Sequence, residues 1–319
     1  MKKYPKINGL IFKELIKRGY SLDGYTRVWN IADSKLWYLK PEQAKAYLEL
    51  ENSKNFKDEA SGDEFKLLSK HYKIMLSEIG ENKPFNLVDI GCGDGQKAAF
   101  LIERFGSEKK IRYCPIDISS YMVKTAIDTV SKVKVDGIVD SEWNISDFEN
   151  LENITPLLIN DTYKCSLFVM LGHTLGNFEI HDLLYQIRNS MKEDDVFAAV
   201  TGIKSTKWER WVDSASSGQV NSNSFFKYIP LQLGLSENEI NFIPRLKNGR
   251  IEYTYAINCD KTIKFQDKEI RFNKGDQIIV AIAYKHNKDD LQTILHMYFK
   301  SVIMKLSEDK STVLLICKK

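Results

Sequence analysis

The sequence predicts a doubly wound α/β domain accompanied by a second, smaller α+β domain. In the middle of the chain, short apolar runs such as FNLVDI, IRYCPIDI and VDGIVD alternate with segments of helical spacing such as QKAAFLIERFG. Continuous apolar strands that alternate with helices are typical of a parallel sheet covered on both faces. After Ile203 this alternation stops, and residues 225–276 carry period-two patterns that predict antiparallel strands in the smaller domain.

These changes of pattern divide the chain into three parts. Residues 1–80 show helical spacing of apolar residues, and we predict a mostly helical segment. Residues 81–204 and 277–319 form the predicted α/β domain, in which QIIVAIAYKH, a helix near 288–301 and a hairpin-like last strand, STVLLICKK, return to the parallel sheet. Residues 205–276 are the predicted β-rich insertion, which includes the polar loop SASSGQVNSNS.

Charge and hydropathy exclude several classes of partner. The 319 residues carry a formal net charge of +3, with 46 basic and 43 acidic residues, and no basic stripe marks a nucleic-acid face. No run approaches the roughly 20 apolar residues that cross a bilayer, and Lys13, Glu14 and Lys17 interrupt any signal-peptide core. We expect a cytoplasmic protein with neither a nucleic-acid nor a membrane partner. The sequence does not fix the oligomeric state.

The cysteines argue against both a disulfide framework and a zinc site. There are five, at positions 92, 114, 165, 259 and 317, and no two of them form a Cys-x-x-Cys pair. We interpret them as small, buried apolar side chains and expect no metal.

Three glycines at alternate positions, Gly91, Gly93 and Gly95, separate FNLVDI from the helix that follows. Such a turn presents backbone N–H groups and the positive end of a helix, which suits an anion or a ribose. The dinucleotide fingerprint would need glycine where Gln96 stands, and the phosphate-binding Gly-Lys-Ser/Thr is absent. The pattern D-x-G-x-G-x-G that begins at Asp89 is instead typical of S-adenosylmethionine (SAM) methyltransferases, although the glycines alone are also compatible with an ordinary turn.

Two further signals follow the next strands. PIDI ends in Asp117, where a carboxylate can accept both hydroxyls of a ribose, and SDFENL places Asp147 and Phe148 where an adenine can be hydrogen-bonded and stacked. Each signal has an ordinary alternative, since Asp117 can cap a helix and Phe148 can belong to the core. Their occurrence after successive strands favours a SAM site.

With these motifs in place, the chain resembles the histidine-specific SAM-dependent methyltransferases of ergothioneine biosynthesis. The resemblance is carried by DIGCGDGQK (89–97), PIDI (115–118), FVMLGHTLGNF (168–178) and FNKGDQIIVAIAYKH (272–286), and it covers roughly residues 29–319. It implies a class I SAM methyltransferase fold with a second, substrate-binding domain to which residues 1–80 and 205–276 contribute. It also implies an amino-acid acceptor bound between the two domains.

The resemblance also implies site residues. Asn177 would orient the amino group of the acceptor, and Trp37 and Tyr38 are approximate counterparts of a tyrosine-rich acceptor motif. The pair Gly176-Asn177 is also favourable for an ordinary turn, so Asn177 has a structural alternative. His173 in the same loop is either a proton acceptor or structural. The residues that would serve SAM are Asp89, Gly91, Gly93, Lys97, Asp117, Asp147, Phe148, Met170 and Leu171.

The chain departs from the family in the strand VAIAYKH. Where family members carry a glutamate and a serine that hold the histidine side chain, this sequence has Ala281 and Ala283. Their methyl groups favour a bulkier or less polar acceptor side chain, with Trp29, Trp37 or Tyr38 as packing partners.

We therefore expect a SAM-dependent N-methyltransferase that acts on the amino group of an amino-acid-like small molecule other than free histidine. Two alternatives stay open at this point: a protein or peptide methyltransferase, which would need an open cleft, and a non-catalytic SAM-binding module. Neither the acceptor nor the number of methyl groups transferred can be read from the sequence.

Overall fold

The structure, a computed structural model, describes residues 7–57, 61–80, 83–106, 110–134 and 139–319. Its strands are β1 (Ser21–Asp23), β2 (Thr26–Asn30), β3 (Phe85–Ile90), β4 (Ile111–Asp117), β5 (Val139–Ser141), β6 (Asn144–Ile145), β7 (Cys165–Met170), β8 (Val196–Gly202), β9 (Ile240–Lys247), β10 (Arg250–Ile257), β11 (Lys261–Phe265), β12 (Lys268–Phe272), β13 (Gln277–Tyr284), β14 (Ser301–Leu306) and β15 (Thr312–Lys318).

The α-helices are α1 (Gly9–Arg18), α2 (Pro41–Asn52), α3 (Lys54–Phe56), α4 (Gly62–Ile79), α5 (Gln96–Phe105), α6 (Ser120–Val130), α7 (Leu151–Ile154), α8 (Ile180–Ser190), α9 (Lys207–Ser216), α10 (Asn223–Phe226), α11 (Tyr228–Gln232) and α12 (Lys288–Tyr298). Short 3₁₀ helices are formed by Ser34–Trp37, Phe148–Asn150, Thr155–Leu158, Thr174–Asn177 and Glu237–Glu239.

The chain divides into two compact units. One, which we call the five-strand unit, comprises Met1–Phe56 and Thr206–Tyr284; the other, the eight-strand unit, comprises Lys57–Ser205 and Lys285–Lys319. Each unit is therefore assembled from two separate stretches of the chain.

The sheet of the eight-strand unit has the order β14-β15-β8-β7-β3-β4-β5, and β6 pairs with β4. Strands β8, β7, β3, β4 and β5 are parallel, whereas β15 runs antiparallel to both β8 and β14. The chain leaves β3 toward β4 and β5 and then returns to β7 on the other side of β3. In open α/β sheets, ligands bind at the carboxyl ends of the strands where the order reverses in this way, so the segments that follow β3 and β7 are candidates for the site.

Helices cover both faces of this sheet, as the apolar strands predict. Helices α4, α5 and α6 pack on one face through residues such as Leu68, Leu101 and Ala126. Helices α7, α8 and α12 pack on the other through residues such as Leu151 and Leu184. The result is the three-layer α/β architecture that the sequence predicts.

The five-strand unit contains a mixed sheet of order β1-β2-β13-β10-β9 and a separate hairpin of β11 and β12. All neighbours in the mixed sheet are antiparallel except β13 and β2. Aromatic rings pack on it: the ring of Phe226 lies 4.5 Å from that of Tyr253, and Trp211 Nε1 donates to Tyr253 Oη at 2.9 Å. The predicted antiparallel strands of the insertion are thus present.

The structure corrects the predicted position of two elements. QIIVAIAY does not return to the parallel sheet; as β13 it is the middle strand of the five-strand unit. A continuous apolar run signals burial on both faces but does not identify the sheet to which the strand belongs. Similarly, α4 packs in the eight-strand unit instead of contributing to the substrate-binding domain. The predicted C-terminal helix and last strand are confirmed as α12 and β15, and most of VDGIVD (135–138) lies outside the described residues.

Candidate cofactor and active site

The glycine turn after β3 requires glycine for two reasons, its backbone conformation and the close approach of neighbouring atoms. Gly91, Gly93 and Gly95 have φ values of 72°, 54° and 75°, a region that side chains with a Cβ rarely adopt. A Cβ on Gly95 would lie 2.7 Å from a backbone atom of α6, and one on Gly91 would lie 3.3 Å from both Phe148 Cζ and Thr174 Cγ2. No atom of the described residues lies within 4 Å of a Cβ built on Gly93. The turn therefore packs closely on two sides and is open at Gly93.

Asp89 is the next-to-last residue of β3 and lies in a buried position just before this turn. Tyr113 Oη on the neighbouring strand β4 donates a hydrogen bond to Asp89 Oδ2 at 2.9 Å. Burial raises the pKa of Asp89 to about 7, although the Tyr113 hydrogen bond and the charge of Lys97 act in the opposite direction. The carboxyl group is thus poised between its neutral and charged forms near neutral pH.

Asp117 ends β4 and lies beside the same turn. Its Oδ1 accepts a hydrogen bond from the Ser119 backbone N–H at 2.9 Å, and burial raises its pKa to about 6, against the opposing effect of backbone N–H groups that include Gly93. Ser119, and not Asp117, is the N-cap of α6, where its side chain accepts from the Met122 N–H. The helix-capping alternative for Asp117 is therefore wrong.

Asp147 and Phe148 follow β6, and Phe148 lies beside the glycine turn. Phe148 is half-buried, its ring centroid lies 5.2 Å from that of Phe178, and it packs against the second core of the eight-strand unit. Because Phe148 Cζ also approaches Gly91, the ring borders both the core and the glycine turn. Asp147 is half-buried immediately before it.

The segment after β7 is the other candidate edge of the site. Met170 is fully buried and Leu171 nearly so. Gly172 and His173 have φ values of 71° and 61°, and Thr174 Oγ1 donates to the Leu171 carbonyl at 2.7 Å, which closes a tight turn.

Asn177 ends the 3₁₀ helix Thr174–Asn177 that follows this turn. It is half-buried, and its side-chain amide makes no hydrogen bond to any residue that the structure describes. The amide is therefore available to a ligand.

The sequence analysis missed a buried acid at the junction of these segments. Glu64 on α4 has no exposed surface, and its Oε1 accepts a hydrogen bond from the Gly172 backbone N–H at 2.7 Å. Its Oε2 lies 3.9 Å from Nζ of Lys97, the second residue of α5. Acidic residues are common in the first turn of a helix, so the sequence does not indicate that Glu64 is buried.

Apart from Asn177, which lies in the eight-strand unit, the residues predicted to bind the acceptor lie in the five-strand unit. Trp37 is 5% exposed, and its Nε1 donates to the Val280 carbonyl at 3.0 Å; Tyr38 beside it is half-buried. On β13, Ala281 has no exposed surface, whereas Ala283 is half-buried. Of the two alanines, Ala283 is thus the one that a ligand can reach directly.

Three further findings concern the described residues as a whole. Within the described ranges, no group of three or more His, Cys, Asp or Glu side chains is arranged to hold a metal ion. In the same residues, no helix has both the length and the apolar character to span a bilayer. All five cysteines are free thiols; Cys92, Cys114, Cys165 and Cys317 are buried, as predicted, whereas the prediction is wrong for Cys259, which is half-buried.

Comparison with solved structures returns distant likenesses. A SAM-dependent methyltransferase from Clostridium acetobutylicum ATCC 824 is 12% identical and matches 86% of this chain and 98% of its own, with a TM-score of 0.46. The PH0226 protein from Pyrococcus horikoshii OT3 is 13% identical over 85% of this chain and 97% of its own, also with a TM-score of 0.46. Comparison with curated proteins finds no match.

Comparison with protein families gives a direct result. The profile of the family described as "Histidine-specific methyltransferase, SAM-dependent" matches residues 60–318, which is most of the chain. This range contains the glycine turn, Asp117, the segment after β7 and β13. The chain therefore belongs to the family of histidine-specific, SAM-dependent methyltransferases, and SAM is its cofactor.

Proposed function

We propose that this methyltransferase transfers the methyl group of SAM to the amino group of an amino-acid-like small molecule, and that free histidine is not its preferred acceptor. The observation that carries the second half of this proposal is the pair of alanines on β13. The first half is supported by the side chain of Asn177 and by the cofactor-side residues of the eight-strand unit.

The residues around the glycine turn fit the groups of SAM. The cofactor has no phosphate, and the turn offers acidic acceptors together with an opening at Gly93. In our proposal, Asp117 accepts the ribose hydroxyls, and Asp147 and Phe148 hold the adenine by a hydrogen bond and by stacking. The same proposal assigns to the rest of the cofactor Asp89, Gly91, Gly93, Lys97, Met170 and Leu171.

SAM supplies a methyl group on a positively charged sulfur, and its transfer is an in-line displacement that depends mainly on alignment. An amine attacks only as its neutral form, so the acceptor must lose a proton before transfer. Asn177 suits this requirement because a neutral amide can accept a hydrogen bond from the amine without taking up its proton. Its role in our proposal is to orient the nitrogen lone pair toward the methyl group.

The surroundings of the two alanines support the proposal that histidine is disfavoured. The register pairs Tyr253 with Ala281, so both lie on one face of the sheet, and the Tyr253 hydroxyl already accepts from Trp211. Glu252 on β10 pairs with Ile282 and therefore lies on the opposite face, where it accepts two hydrogen bonds from Arg250. An imidazole at this strand would thus meet the methyl group of Ala283, and neither alanine offers the carboxylate or hydroxyl that the family resemblance implies at these positions.

The experiment is a panel of candidate acceptors with purified protein and SAM, with detection of SAH (S-adenosylhomocysteine). The panel holds free amino acids, the same amino acids with an acetylated amino group, short peptides and an unfractionated protein extract. We expect SAH to form with one or more free amino acids and not with their acetylated forms, with the added methyl on the α-nitrogen by mass spectrometry.

Three outcomes would contradict the proposal. Equal turnover of an acetylated amino acid would place the methyl on another atom. Methylation of proteins alone would favour the protein methyltransferase. SAH binding by calorimetry, with no turnover of any acceptor, would favour a non-catalytic SAM-binding module.

A further inference from the structure

Glu64 joins three separate elements of the eight-strand unit. It lies in the first turn of α4, accepts a hydrogen bond at 2.7 Å from Gly172 after β7, and lies 3.9 Å from the ammonium of Lys97 at the start of α5. A Cβ built on Gly172 would lie 3.5 Å from Lys97 Nζ, so the lysine also reaches the turn after β7. The three groups thus form one contiguous cluster.

Burying the charged groups of this cluster costs desolvation free energy, which suggests a role other than stability. Glu64 is fully buried, and the Lys97 side chain is only 14% exposed. A buried carboxylate contributes little net stability compared with an apolar side chain of similar volume, because its loss of hydration offsets the attraction to its partners. An acid that only complemented the dipole of α4 would not need complete burial, and Asp63 in the same turn, which pairs with the exposed Lys66, keeps 20% of its side chain accessible.

We propose that Glu64 is a positioning residue for both halves of the reaction. Through the Gly172 N–H it fixes the start of the segment that carries Asn177, and through Lys97 it fixes a positive charge beside the glycine turn. The inference rests on the proposed function for the role of Asn177, but its structural part does not depend on which acceptor is methylated.

Two substitutions separate the two actions of the carboxylate. Glu64→Gln keeps an acceptor for the Gly172 N–H and the size of the side chain but removes the charge that faces Lys97. Glu64→Ala removes both. Asp63→Asn, one residue earlier on α4, removes an exposed ion pair with Lys66 and serves as the matched control.

The measurements are hydrogen exchange of the peptide covering residues 170–178 and the SAH affinity by calorimetry. We expect Glu64→Ala to speed exchange in this peptide about tenfold or more, whereas Glu64→Gln stays within about twofold of the parent. Both variants should bind SAH about 3- to 10-fold more weakly, because Lys97 regains the rotamer freedom that binding must then remove. Asp63→Asn should change neither quantity.

The proposal is overturned if Glu64→Ala exchanges and binds SAH like the parent, or if exchange rises uniformly over the whole chain, which would indicate a general role in stability. Neither readout requires an active acceptor. An enzyme that methylates no amine therefore refutes the proposed function without deciding the role of Glu64. Where an acceptor is known, kcat should fall further in Glu64→Ala than in Glu64→Gln.

Discussion

At the scale of single residues, two buried carboxyl groups lie at the proposed cofactor site. Asp89 is the next-to-last residue of β3 and Asp117 the last residue of the neighbouring parallel strand β4, and burial raises their pKa values to about 7 and about 6. The raised pKa lowers the fraction of each carboxyl group that is ionised at a given pH. Less of the ionised acceptor is therefore present for the hydroxyls of a ligand. Because our proposal assigns the ribose hydroxyls to Asp117, we expect cofactor binding to be linked to the protonation of Asp117.

Asp117 gives the first prediction. Asp117→Ala should weaken SAH binding at least tenfold, because ribose hydroxyls left without an acceptor cost roughly 1 to 3 kcal/mol. In the parent, the pKa of about 6 means that the carboxylate is lost as the pH falls through 6. SAH affinity should therefore decrease by about tenfold between pH 7 and pH 5.

The control for the pH dependence is Asp117→Asn, which has the same shape and no titration. Its SAH affinity should be lower than that of the parent at pH 7 and nearly constant between pH 5 and pH 6.5. Calorimetry at matched ionic strength measures both. A parent affinity that does not change over this pH range would contradict the assigned role.

Asn177 gives the second prediction, which concerns alignment and not affinity. Asn177→Ala should reduce kcat by about 100-fold or more with the best acceptor while SAH affinity changes by less than about threefold. Asn177→Asp keeps the size of the side chain but adds a charge that stabilises the protonated, unreactive amine, so it should also be slow. Equal losses of turnover and SAH affinity would instead assign Asn177 to the cofactor or to the fold.

At the scale of elements, helix packing on the glycine turn explains why its third glycine is needed. A Cβ on Gly95 would lie 2.7 Å from the Cα of Ala126 in α6, which is backbone and cannot rotate away. We expect Gly95→Ala to destabilise the protein by roughly 2 to 4 kcal/mol, from this overlap together with the positive φ.

Gly218 is the matched control for this third prediction, because its φ is also positive, at 80°, and no described atom lies within 4 Å of a Cβ built there. Gly218→Ala should cost only the conformational part, roughly 1 kcal/mol. Denaturant unfolding compares the two variants. Similar losses would show that conformation, and not the contact with α6, makes glycine necessary at position 95.

The elements that the sequence predicts well are those with a local signal. The glycine turn, the strand ends at Asp89 and Asp117, and the helix α12 all follow from periodicity and from glycine, with no reference to the rest of the chain. The sheet to which β13 belongs does not follow, because its apolar run is equally suited to the middle of either sheet. The burial of Glu64 does not follow from the sequence either, because its hydrogen-bond partner Gly172 lies 108 residues away along the chain.

At the scale of the whole molecule, our proposal gives the two units different roles. The eight-strand unit would bind SAM through residues near the ends of its parallel strands. In the five-strand unit, β13 carries Ala281 and Ala283 at the positions where the family resemblance implies a glutamate and a serine. The central claim of our account is that these alanines favour an acceptor other than free histidine.

The most direct test compares kcat/KM for free histidine with that for leucine, phenylalanine, tyrosine and tryptophan under the same conditions. Two missing hydrogen-bond partners cost roughly 2 to 4 kcal/mol, which corresponds to a loss of about 30- to 1000-fold for histidine. We predict that at least one of the four less polar amino acids exceeds histidine by a factor in this range. If histidine is instead the best acceptor, with a KM below about 1 mM, then Ala281 and Ala283 do not set the specificity and the claim is wrong.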